Sequence, residues 1–216
     1  MPKRRPPRPA SPSPPDPGTK ARIQVAARAE FAQYGRAGAR VDRIAQRADV
    51  NKAMIYYHFH SKDNLYAEVI RDHFAEITRQ VQARIIHVES IEQRLKIVAE
   101  AHGNMALGGG DFRSLILREL ADPRDEVLAQ IADVFNASGL SDTMRGELES
   151  AMDRGEIRRM DVCQVVVAFV TMSLGYFILA PIIDRVWGID DRAAFIEERK
   201  HVMIDLFMNG LKARKP

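Results

Sequence analysis

Apolar residues recur at intervals of three and four along most of the chain, and nowhere alternate with polar ones over the length of a strand. That period predicts helices throughout. From Lys20 to Tyr34, the residues Ile23, Ala26, Ala27, Phe31 and Tyr34 share one face, and Thr19 stands where a hydroxyl would cap the first turn. Gly35 is expected to end this helix, and Gly38 to keep the link loose. A second helix over Val41–Ala48 gathers Val41, Ile44, Ala45 and Ala48 on one side. Asp49 then falls in a turn that needs left-handed backbone, which Asp tolerates better than most residues. Asn51 is placed to cap a short third helix from Lys52 to about His58, with Ile55 and Phe59 facing inward. Ser61 caps a fourth, whose apolar positions Tyr66, Ile70, Phe74, Ile77, Val81 and Ile85 recur along a long rod. Further helices are expected over 90–108, 111–120, 123–137, 141–153, 161–187 and 190–213. The fold class read from this pattern is all-α: an N-terminal three-helix domain containing a helix-turn-helix, then a larger helical domain.

Charge sharpens the division. Residues 1–65 hold 13 Lys/Arg against 5 Asp/Glu, whereas residues 66–216 hold 19 against 24. One basic end on an acidic body suits a chain in which only the N-terminal part meets a polyanion. Residues 1–18 carry 8 of the 11 prolines together with Lys3, Arg4, Arg5 and Arg8. This composition cannot build a packed element and predicts a disordered basic arm, either solubilising or reaching for phosphates. The expected organisation is therefore an arm over 1–18, a basic three-helix domain over 19–65 that meets a polyanion, and a larger helical domain over 66–216. The single Cys163 excludes an internal disulfide framework and fits a reducing compartment. No apolar stretch follows the charged N-terminus, so no secretory signal is expected.

The segment from Ala45 to Lys62 holds the most specific chemistry. It reads as a helix, a tight turn and a short second helix with exposed cationic and aromatic side chains, a unit that can enter the DNA major groove. Over residues 20–69 the motifs follow in order. They are Phe31-Ala-x-Tyr-Gly35, Ile44-Ala45, Ala48-Asp-Val-Asn51, Ile55-Tyr-Tyr-His-Phe59 and Ser61-Lys-Asp-Asn-Leu65. In this it resembles the TetR family of bacterial transcriptional regulators. Two departures stand out: Asp49 where the family usually has Gly, and Ala39-Arg40 where it has a Thr or Ser that caps the second helix.

The resemblance implies roles by position. Lys52, Ala53 and Met54 would face base edges, with Lys52 donating to guanine and Met54 touching a thymine methyl. Tyr56, Tyr57 and His58 would hold phosphates or support the helix, and Lys62 would take another phosphate. Asn51 would serve mainly as a cap, and Arg40 would replace the missing hydroxyl's phosphate contact by charge. The resemblance implies that residues 19–65 bind DNA and that residues 66–216 bind an effector and dimerise; the partners implied are a double-stranded operator, a small-molecule effector and a second copy of the chain, and no cofactor is implied. The function expected is a cytoplasmic, homodimeric regulator, a repressor released by its effector.

The run from Val162 to Ile183 carries no charge and is long enough to span a bilayer. Gln164, Thr171, Ser173 and Pro181 dilute it, and a second helix with two apolar stripes follows. A subunit interface is the preferred reading and a membrane-tethered signalling protein the alternative. Non-specific DNA binding is a second alternative. His73, Phe74, Ile77, His102, Met105, Phe112, Leu115, Phe135, Met172 and Tyr176 are candidates for an internal effector cavity, an ordinary helical core being the competing reading. No His-Glu-x-x-His or Cys-x-x-Cys motif points to metal, and no nucleophile lies beside a base, so no enzyme is expected. Cys163, in its apolar run, is expected to be buried and inert.

Overall fold

A computed structural model of the chain describes residues 18–107 and 110–212, without the side chains of 106–112. The proline-rich arm, apart from Gly18, and the side chain of Phe112 lie outside the described residues. Ten helices are found among these: α1 (Thr19–Gly38), α2 (Val41–Ala48), α3 (Lys52–Phe59), α4 (Lys62–Ile85), α5 (Ile91–Leu107), α6 (Gly110–Ala121), α7 (Asp125–Ser138), α8 (Leu140–Asp153), α9 (Val162–Trp187) and α10 (Arg192–Leu211). The fold is all-α, with the helix-turn-helix unit ahead of a larger helical domain.

Local chemistry explains most of the junctions. Asp49 adopts the left-handed conformation, φ 52° and ψ 53°, which turns the chain between α2 and α3. The Asn51 side chain accepts from the Ala53 N–H at 2.9 Å, and Ser61 Oγ from the Asn64 N–H at 3.0 Å, so α3 and α4 each begin on a side-chain cap. α1 differs from expectation. Its N-cap position is Gly18, and Thr19 is the first helical residue, buried, with the Arg22 guanidinium donating to its hydroxyl at 3.4 Å. A hydroxyl turned inward cannot cap. The regular part of α1 breaks at Gly35, whose φ of 65° with ψ of 174° suits glycine. A Cβ there would meet the Arg118 guanidinium at 3.3 Å, so this glycine also lets α6 come close.

Ile23, Ala27, Phe31, Ile44, Ile55, Phe59, Leu65 and Ile70 are fully shielded and form one continuous core for α1–α3 and the start of α4. Leu115 of α6 and Val127 of α7 complete it, so this core borrows from helices far along the chain. The Phe31 and Tyr66 rings meet edge to face, 4.9 Å apart. Beyond it, α4 packs on α7 and α5 on α10, and three smaller clusters replace the single core. A lone antiparallel bridge, Ile157 to Lys212, ties the loop after α8 to the end of α10.

Candidate nucleic-acid interface and the cavity behind it

α3 stands on the N-terminal core by Ile55 and Phe59, both fully buried, and this fixes which of its residues face outward. Lys52, Ala53, Tyr56 and Tyr57 are exposed. Met54 is half-buried and packs on the core, and half-buried His58 lies edge-on to the Tyr57 ring at 5.1 Å. The outward edge of the helix is therefore Lys52-Ala53 and the two tyrosines, with Met54 and His58 supporting them. Lys52 Nζ lies 2.9 Å from Asp42 Oδ1 on α2, and that hydrogen bond raises its pKa, so the ammonium stays charged. Both groups are exposed, so water and salt leave such a pair only weakly held. A guanine edge or a phosphate can displace Asp42 cheaply. Lys62 donates to the Ala39 carbonyl at 3.3 Å, which holds its charge beside the start of α2.

α2 begins at Arg40 without a side-chain cap, as the missing Thr or Ser suggested. A residue that sequence reasoning passed over fills the gap. Glu30 of α1 is fully buried, and its Oε1 accepts from the Arg40 N–H at 3.1 Å and from Arg43 Nε at 2.5 Å. A carboxylate at the positive end of α2 is favourable. Arg43 in turn lies over the Tyr34 ring at 4.0 Å and donates to the Gly38 carbonyl at 3.0 Å. The available signal was a lone acid on the otherwise apolar face of α1. Only the backbone of Arg40 takes part in these ties, and the residue is exposed.

Behind this unit a cavity of about 370 Å³ opens between α4, α5, α7, α8 and α9. Its size falls in the range of small-molecule sites, about 300–1,000 Å³. Phe74, Ile77, His102, Met105 and Phe135 line it. The other candidates stand elsewhere. His73 lines a more polar recess with Arg28 and Asn104, and Leu115 belongs to the N-terminal core. Met172 packs into the cluster of α5, α8, α9 and α10. Tyr176 is buried between α9 and α10, donating its hydroxyl to Asp184 Oδ1 at 2.8 Å. Few polar groups are open to the cavity. The Thr78 hydroxyl turns back to the Phe74 and Ala75 carbonyls at 3.0 and 3.1 Å. His102 Nδ1 lies 2.7 Å from Ser173 Oγ, and burial lowers the imidazole to about 4, so it is neutral at physiological pH. His73 is likewise lowered to about 4, by burial first and the Arg28 charge second.

α6 touches both regions. On one side Leu115 enters the N-terminal core, and the buried Glu119 carboxylate accepts from the Tyr66 hydroxyl at 3.1 Å and from Arg124 at 2.8 Å. Burial, then the neighbouring Glu119 charge, pushes the Tyr66 phenol up to about 12, so it remains a donor. On the other side Ile116, Leu117 and Leu120 wall a smaller apolar chamber of about 120 Å³.

α9 presents an outward apolar face. Ile178, Leu179, Ile182, Val186 and Trp187 are at least half exposed, and Val202 and Leu206 continue the patch on α10. α9 is long and apolar enough to cross a membrane, with a mean hydropathy of 2.2, and 22% of its most apolar stretch is buried in the chain. Cys163 differs from expectation: it is exposed near the start of α9, because a helix apolar on every side does not reveal which side faces in. Among the described residues, no group of three His, Cys, Asp or Glu side chains is placed to hold a metal ion.

Residues 23–69 match the family described as bacterial regulatory proteins, tetR family. Over 84 residues, 39% of this chain and 44% of its relative, the sequence is 42% identical to the HTH-type transcriptional repressor SCO4008 of Streptomyces coelicolor. Over 82 residues, 38% of this chain and 37% of the relative, it is 33% identical to the HTH-type transcriptional activator FasR of Mycolicibacterium smegmatis. The aligned stretch thus spans less than half of either relative. The fold extends much further. The transcriptional regulator FadR of Bacillus subtilis, solved with stearoyl-CoA, superposes with a TM-score of 0.73 at 18% identity, covering 88% of this chain and 98% of that one.

Proposed function

We propose that this chain, a TetR-family regulator by its N-terminal domain and its fold, is a cytoplasmic, homodimeric repressor that binds a near-palindromic operator and leaves it when a small molecule fills the cavity. The observation that carries the reading is the exposed Lys52-Ala53 edge of α3, held rigidly by buried Ile55 and Phe59. In the major groove, Lys52 donates to guanine and Ala53 packs on a base edge, while Met54 sets the depth of the helix from beneath. Arg40, Tyr56, Tyr57 and Lys62 take backbone phosphates, and Asn51 and His58 keep α3 in register. Repression is favoured over activation because the relative of higher identity is a repressor.

The outward face of α9 and α10 supports a two-fold dimer, which would set two copies of α3 into successive major grooves. A second copy suits this face better than a bilayer, because Val202 and Leu206 carry the patch across to α10. Effector coupling runs through α6 as well as α4: a ligand that shifts α6 pulls on Leu115 and Glu119, and through them on Tyr66 and the N-terminal core. By linkage, DNA must weaken effector binding by the same factor as effector weakens DNA binding.

Selection of fragments by the purified chain from a pool of random duplexes tests this. An enriched inverted repeat is expected. Retention of duplex without any enriched sequence would mean non-specific binding, and the reading would fail.

A further inference from the structure

A second chamber lies behind His102. Phe74, His102, Met105 and Leu174 belong both to its wall and to the wall of the smaller chamber against α6. The two chambers follow α9 from Val162 to Ile178, a run of about 24 Å at 1.5 Å per residue. No Asp or Glu lines either chamber among the described residues, so nothing there would neutralise a cationic ligand. At the far end from α6 the wall reaches exposed Ser141, Arg145 and Cys163, which marks the mouth. Arg145 is the charged residue of the main chamber, exposed, and forms no ion pair among the described residues. A second cation, Arg113, lines the inner chamber, where its charge acts on Asp184, so the cation left for a ligand is the one at the entrance. Length, apolar walls and that entrance cation describe the complement of an amphipath with a single anionic end.

We propose that the effector is a long-chain aliphatic carboxylate whose head lies at Arg145, and that chain length is read at His102 and Met105, the wall the two chambers share. A short chain fills the outer chamber alone. A long one passes His102 and presses on Leu117 of α6, whose opposite face carries Leu115 into the N-terminal core. Ligand length then becomes a signal at the DNA-binding domain. This inference rests on the reading of the chain as a ligand-responsive regulator.

Calorimetric titration of the full chain with octanoate and with palmitate below its micellar concentration, alongside release of the selected duplex, provides the test. Palmitate should bind at least about tenfold more tightly than octanoate, as lost apolar contact in a hydrophobic site implies. Only palmitate should release the duplex. Leu117→Trp, which fills the inner chamber, should reduce palmitate to the affinity of octanoate and leave octanoate unchanged, whereas Leu117→Met should behave as wild type. Leu120→Trp, at the exposed rim of the same chamber, gives the same comparison if the first variant misfolds. Arg145→Gln should weaken both ligands about two- to fivefold, the size expected of an exposed ion pair. Equal affinity for the two acids, equal weakening of both by the tryptophan variants, or no effect of Arg145→Gln would each overturn the proposal. If duplex is selected and neither acid binds, the ligand class fails and the regulator reading stands. If the length pattern appears and no duplex is selected, the cavity assignment stands and the regulator reading fails.

Discussion

Phe31 and Phe135 are the same residue type in two halves of one chain, set in opposite surroundings. Phe31 is fully enclosed and stacked edge-on against Tyr66, whereas Phe135 is half-buried, tilted against Phe74 at 5.8 Å, with a cavity beside it. The difference extends to whole regions. The N-terminal core is closed, and what it leaves exposed on α3 is cationic and aromatic. The helices behind it are hollow within and apolar without. On the proposed reading, a region that must hold one shape against DNA has its core filled, with Leu115 and Val127 lent by α6 and α7. A region that responds to ligand and partner leaves surface for both to cover.

The sharpest way to break this comparison is to truncate both rings. Phe31→Ala should cost about 3–5 kcal/mol in urea denaturation, the range for emptying a sealed core. Phe135→Ala should cost under about 2 kcal/mol, because part of its ring already faces open space. Equal losses would mean that the second region is packed as tightly as the first. Next in size is the outer face: Ile182→Glu on α9 should weaken self-association by about 2–4 kcal/mol in sedimentation experiments, leaving a helical monomer. A variant that stays dimeric would move the interface elsewhere.

The hollow region should also be the acid-sensitive one. Unfolded imidazoles take up a proton near pH 6.5, but half-buried His102 and His73 resist until about pH 4. Between those values the unfolded chain binds more protons, so stability is present above pH 6.5 and falls as pH drops towards 4. His102→Leu should flatten that slope by on the order of 1–3 kcal/mol across the window. An unchanged slope in thermal melts from pH 4 to 7 would show that His102 is not buried neutral.

Legibility in the sequence followed the same division. The turn at Asp49 and the caps at Asn51 and Ser61 were readable because each is decided by a residue and its immediate neighbours. Glu30 was not, since its partners lie 10 and 13 residues on and are brought to it by packing. Thr19 was misjudged because a hydroxyl at a helix start looks the same whether it turns to the backbone or into the core. Behind the N-terminal domain, periodicity located the helices within a few residues but not their rotation about their own axes. Hence Ile77, His102, Met105 and Phe135 line the cavity, whereas His73, Met172 and Tyr176, equally plausible by type, point elsewhere. α9, apolar all round, hid even the exposure of Cys163.

On the proposed reading, α3 meets base edges while its surroundings hold phosphates. The most direct measurement is the affinity of Lys52→Ala and Lys62→Ala for the selected operator and for its single-base-pair variants, at one fixed salt concentration. Lys52→Ala should bind about fivefold more weakly or worse and no longer discriminate at one operator position. Lys62→Ala should weaken every sequence by a similar factor and lower the salt dependence. If the two substitutions act alike on all sequences, α3 is not the reading helix.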